Sequence, residues 1–119
     1  NFLLVESDVG RAVFEGIPSD RFRNPLGTVH GGWMSTMLDS ALGCAVHSTL
    51  KAGQAFTTVD LAVSFVRAVH ESTGKMRCEA KVIHVGGRIA TAEGRLVDAG
   101  GKLYAHGTTT CLVMSAPTG

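Results

Sequence analysis

The stretch Asn24-Pro25-Leu26-Gly27-Thr28-Val29-His30-Gly31-Gly32 runs into an apolar segment whose one carboxylate is Asp39. Two glycines at a helix mouth leave backbone N–H groups with no acceptor inside the helix, at the positive end of its dipole. Such a mouth can polarise a carbonyl or hold an oxyanion. A lone acid two turns later, expected to be buried, suits general-base or nucleophilic work. Within four residues its helix offers no Lys or Arg that would make Asp39 half of an ion pair. From Gly31 to Asp39 the helix rises about 12 Å, so both groups of one chain cannot touch one reacting carbon. If both act, the acid comes from a second copy of the chain.

Other candidates are weaker. His30 directly precedes Gly31 and could take a catalytic part, although a histidine at a helix start commonly serves as a structural hydrogen-bond partner. Asn24 can cap or turn its loop, since Asn before Pro favours turns. Gly86-Gly87-Arg88 is no P-loop, because no helix follows it. Its exposed amides beside a guanidinium nevertheless suit a phosphate group, with Arg67 or His70 adding charge. Trp33, on the flank of the helix start, is a candidate wall for a ligand pocket. Met34, Met37 and Phe65 read as core.

The 119 residues, 45% apolar and 18% charged with net charge +1, fit one modest core. No basic run favours nucleic acid. Asp39, His47 and Lys51 interrupt the best apolar stretch, so none spans a bilayer, and no signal peptide is visible. The chain opens at Asn1 in a hydrophobic run rather than at a methionine, which suggests residues ahead of it. Cys44, Cys78 and Cys111 are scattered in apolar segments, a pattern of reduced thiols in a cytoplasmic protein. Neither they nor the five histidines show metal-ligand spacing, so no metal site is expected.

The elements that must position these groups follow from periodicity. Residues 2–6 and 11–17 read as short strands around a turn, and 17–27 as a loop. From Gly32 to Leu50, Met34, Met37, Leu38, Ala41, Leu42, Ala45, Val46 and Thr49 form an apolar helical stripe. Asp39 lies roughly 130° from the centre of that stripe, flanked by the small Ser35 and Gly43. Gly53 is placed to help end the helix. Thr57, Val59, Leu61, Val63 and Phe65 alternate with Thr58, Asp60, Ala62 and Ser64, the pattern of a half-buried strand. Strands over 77–85 and 88–98 meet at Gly86-Gly87, which suits a primed hairpin turn. With a last strand over 102–114 they suggest an antiparallel meander under one helix, an α+β domain expected to pair with itself.

At these residues the chain resembles the hotdog-fold acyl-CoA thioesterases of the phenylacetate-degradation type, relatives of 4-hydroxybenzoyl-CoA thioesterase. The resemblance is strongest over Asn24–Gly43, then continues more weakly through the topology and the Gly86-Gly87-Arg88 turn. It implies a single hotdog domain over 1–119, with one long central helix packed on a curved antiparallel sheet. It implies hydrolysis of a small, medium-chain or aryl acyl-CoA. The Gly31 amide would polarise the carbonyl, Asp39 of the partner subunit would be general base or nucleophile, and Asn24 would hold the attacking water or the carbonyl. The implied assembly is a homodimer with composite sites, in turn a homotetramer. No cofactor is implied, coenzyme A being part of the substrate. Some relatives place a Ser or Thr near the end of the first long strand. Here that neighbourhood reads Ser64-Phe65-Val66-Arg67-Ala68, where the matching position is Arg67. A hotdog enoyl-CoA hydratase or dehydratase, or a non-catalytic acyl-CoA-binding module, would share much of this pattern.

Overall fold

The computed structural model describes residues 2–19 and 31–116; Asn24 and His30 lie outside them. In chain order come β1 (Phe2–Asp8), β2 (Arg11–Gly16), α1 (Gly31–His47), β3 (Gln54–Phe65), a 3-10 turn (Glu71–Thr73), β4 (Met76–Val85), β5 (Ile89–Asp98) and β6 (Leu103–Ser115). All strand pairs are antiparallel, in the order β1-β2-β4-β5-β6-β3. Only β4, β5 and β6 form the expected meander. β3 pairs with β6 at the far edge rather than with its successor β4. This crossover lets the sheet curve around α1, and α1 touches all six strands.

The helical stripe is buried as its period predicts, from Met34 through Met37, Leu38, Ala41, Leu42, Ala45 and Val46. Trp33 joins it at 5% exposure, its ring edge-on to Phe2 at 6.5 Å. Trp33 is therefore core, not a pocket wall. Small residues on the central strands let the helix settle close: Ala80, Ala90, Ala92 and Ala105 are all fully buried. A Cβ at Gly94 would stand 3.3 Å from Leu38 and 3.4 Å from Leu42. At Gly107 one would stand 2.8 Å from the Ala62 carbonyl oxygen, closer than real Cβ atoms come. Gly107→Ala should therefore lower the unfolding free energy by about 1–3 kcal/mol. The check is a lower denaturant midpoint at unchanged m-value.

The helix ends earlier than its apolar pattern. The Ser48 and Thr49 hydroxyls donate to the Ala45 and Val46 carbonyls at 2.7 Å, diverting the backbone after His47. Ser48 Oγ also accepts the Gly10 amide at 2.7 Å, tying the β1–β2 turn to the helix. Gly53 sits beyond this point, in the turn that opens β3, so it does not end the helix.

The strict alternation expected along 57–65 also breaks. The β3–β6 register shifts between Thr58 and Asp60, which makes Val59 an inserted bulge residue. Phe56 and Thr58 thus share the helix-facing side with Leu61, Val63 and Phe65, while Thr57 lies on the other side with Asp60, Ala62 and Ser64. Nor is the strand half-buried along its length: most of it is exposed, because β3 is an edge.

The Gly86-Gly87 loop is not a primed turn. Such a turn needs left-handed residues at its centre, and neither glycine nor Arg88 is one. The loop is held instead by the Gly86 amide donating to Ile89 O at 2.7 Å and by Val113 N donating to Arg88 O at 2.7 Å. On the outer face Arg11 pairs with Glu6 and Glu79, and Arg77 with Glu6 and Glu15. These half-exposed pairs contribute little individually to stability.

Candidate active site

Gly31 is the first residue of α1, so its amide and the next few point out of the helix without an intrahelical acceptor. The Phe65 ring closes on it from the end of β3. A Cβ added at Gly31 would lie 3.2 Å from Phe65 Cζ and 3.4 Å from Cε1. Glycine is therefore what leaves the helix mouth open beside this ring. Phe65 itself is 53% exposed, which corrects its reading as core. It is the one aromatic among the exposed large apolar side chains of the described residues.

Asp39 stands two turns along the same helix. It is exposed, not buried as expected from the sequence, because it lies on the side of α1 that the sheet leaves uncovered. Among the described residues its carboxylate has no hydrogen bond or ion pair. One turn further on, a Cβ at Gly43 would be 3.7 Å from Phe56 Cζ. The two phenylalanines at opposite ends of β3 thus abut Gly31 and Gly43, so α1 runs antiparallel beside β3 with Asp39 between them. Gly31 and Asp39 share one helix and remain about 12 Å apart along it.

The residues suggested for a phosphate fall at two ends of the molecule. Arg67 donates its amide to Tyr104 O, and its guanidinium sits over the Tyr104 ring, 5.9 Å from the centroid. Arg88 is held to Val113. Tyr104 and Val113 are nine residues apart on β6, about 30 Å at the rise of a strand. One chain cannot bring Arg67 and Gly86, Gly87 and Arg88 to one phosphate group. Ser64 pairs opposite His106 and faces away from the helix, so its hydroxyl does not reach the mouth.

Other nucleophiles are poorly placed. Cys44, Cys78 and Cys111 are all free thiols. Burial pushes the Cys78 thiol up to about 12 and raises that of Cys44 as well, which keeps both protonated near neutrality. Among the described residues no His, Cys, Asp and Glu cluster could hold a metal, and no helix is long and apolar enough to cross a membrane. A cavity of about 480 Å³ lies on the outer face of the sheet, lined by Glu79, Lys81, Glu93, Arg95, His106 and Thr108. It is on the far side of the sheet from α1 and contains none of the candidate residues.

One helix cradled in a six-stranded antiparallel sheet, with open amides and a carboxylate on its uncovered side, defines a hotdog fold of the thioester-hydrolase class. The chain belongs to the thioesterase superfamily, whose family model matches residues 26–105. A candidate thioesterase from Ralstonia eutropha, described as related to phenylacetic acid degradation, is 31% identical with a TM-score of 0.84; the match covers 93% of this chain and 83% of that one. A Streptococcus mutans protein solved bound to acetyl CoA has the same fold, with a TM-score of 0.88 at 20% identity, over 99% of this chain and 92% of that one. A candidate esterase of Halobacterium salinarum is 39% identical over 69 residues, which are 56% of this chain. That match spans 44% of the relative's length.

Proposed function

We propose that this protein hydrolyses the thioester of a small, medium-chain or aryl acyl-CoA in the cytoplasm, at composite sites made by two copies of the chain. The observation that carries this reading is the placement of Gly31 and Asp39 on one exposed helix flank beside a strand edge that no described strand pairs. β3 is twelve residues long and carries a single charge, Asp60, so its free edge is a ready template for another strand. A two-fold axis through the middle of that edge sets the end of one β3 beside the start of the other. Gly31, at Phe65, then faces the part of the neighbouring helix that leads to Gly43, which includes the partner subunit's Asp39. The same axis brings Arg67 of one chain toward the Gly86, Gly87 and Arg88 loop of the other, which closes the 30 Å gap noted above (about nine strand residues). Two such dimers would make the homotetramer.

In this arrangement the thioester oxygen accepts from the Gly31 amide and gains negative charge as the carbonyl carbon is attacked. The partner subunit's Asp39 either takes a proton from the attacking water or attacks the carbon itself. The C–S bond then breaks and coenzyme A leaves as its thiol. In the first case the proton held by Asp39 passes to the sulfur and the acid is released directly. In the second a water protonates the sulfur while its hydroxide hydrolyses the mixed anhydride, releasing the acid and restoring the carboxylate. Asn24 and His30, just upstream of the helix mouth, are the groups proposed to hold the water or the carbonyl.

The test is thiol release from acetyl-, hexanoyl-, decanoyl- and benzoyl-CoA. Release from at least one at steady turnover is expected. Binding without release, unchanged in Asp39→Asn, would point to a non-catalytic acyl-CoA-binding module, and hydration of crotonyl-CoA would point to a hydratase.

A further inference from the structure

Thr109 is the one buried polar side chain among the described residues, 2% exposed in the middle of β6. Its hydroxyl donates across to β3, to the Asp60 carbonyl at 3.0 Å, directly after the inserted Val59. On the same side, Thr109 Oγ1 and Thr58 Oγ1 each lie 3.9 Å from Cys111 Sγ. A small polar knot therefore grips β3 on both flanks of its bulge, within an otherwise apolar face.

The insertion changes what the rest of the strand presents. Thr58 pairs with Cys111, and beyond Val59 the pairing resumes with Asp60 opposite Thr110 and ends with Phe65 opposite Ala105. Without the extra residue, Ser64 would stand opposite Ala105. A serine, not the Phe65 ring, would then meet Gly31. Because backbone groups alternate as side chains do, the bulge also switches which N–H and C=O groups β3 shows at its free edge.

We propose that Thr109 is a positioning residue: by holding the Asp60 carbonyl, its hydroxyl maintains the bulge at Val59. It thereby sets both the ring that borders the helix mouth and the edge on which a second copy pairs. This inference rests on the composite-site reading above. Thr109 touches no substrate and acts only through β3.

The experiment compares Thr109→Val, which keeps the shape and removes the donor, with Thr109→Ser, which keeps the donor. Subunit association and turnover of the best substrate among acetyl-, hexanoyl-, decanoyl- and benzoyl-CoA are measured across a dilution series. Thr109→Val should associate about tenfold more weakly and lose turnover per subunit on dilution, with recovery at high concentration. Thr109→Ser should stay within about twofold of the wild type. Wild-type behaviour of Thr109→Val at every concentration would overturn the inference, as would an equal loss in Thr109→Ser. A Thr109→Val chain that fails to fold would overturn it too, because the hydroxyl would then serve the single chain and not the setting of one strand. Asp39→Asn separates the two ideas: if it retains turnover, the composite-site reading fails, whatever Thr109 does.

Discussion

Asp39→Asn is expected to lower kcat/KM for the best acyl-CoA substrate by about 10²–10⁴-fold, with fold and subunit association unchanged. The size follows from the role: asparagine can neither accept the proton of an attacking water nor attack as a carboxylate. The absence of a structural cost follows from the geometry. Asp39 is exposed and, among the described residues, makes no hydrogen bond or ion pair that the substitution would break. Thermal midpoint and oligomer size measured beside the kinetics separate lost chemistry from lost folding. A variant within threefold of wild type (about 0.7 kcal/mol in barrier height) would remove the acid from the mechanism.

Gly31→Val is expected to cost about 10²–10³-fold in kcat, the scale of losing one oxyanion donor. Valine keeps the amide but puts carbon where the thioester oxygen must approach. Its Cβ alone would lie 3.2 Å from Phe65 Cζ, and its γ carbons reach further into the mouth. The ring is half exposed and can swing away, so the fold should tolerate the change. Steady-state kinetics with a circular-dichroism melt test this. Unaltered kcat would mean that the helix mouth does not hold the reacting carbonyl.

How much of this was legible in the sequence depends on which contacts decide each feature. The helix was readable because Met34, Met37, Leu38, Ala41, Leu42, Ala45 and Val46 recur at its period and all face the sheet. The six strands were readable to within a few residues for a similar reason. The parity of β3 is not readable, because the insertion at Val59 is held by the Thr109 hydroxyl, whose acceptor, the Asp60 carbonyl, is 49 residues away in the chain. The alternation alone consequently places Phe65 in the core rather than at the helix mouth. Ser48 and Thr49 end the helix through bonds to their own backbone, a weaker signal than the glycine at 53. Gly86-Gly87 invited a primed turn, yet the bond from Val113 to Arg88 holds the loop in another shape. Of the candidate site, Gly31 and Asp39 lie on the same helix as expected. Asn24 and His30 fall outside the described residues. The apolar neighbours of Asp39 in the sequence predict a buried carboxylate. In the single chain it is exposed, since none of the described strands covers its side of the helix.

The most direct measurement mixes the two inactive chains. Asp39→Asn and Gly31→Val proteins are unfolded together, refolded as an equimolar mixture and assayed for thiol release. If each site takes its glycine from one subunit and its acid from the other, a mixed dimer contains one intact site, and the mixture should recover about a quarter of wild-type activity. If each chain carries its own complete site, no pairing can restore one. Activity no greater than that of the two variants assayed separately would then contradict the account.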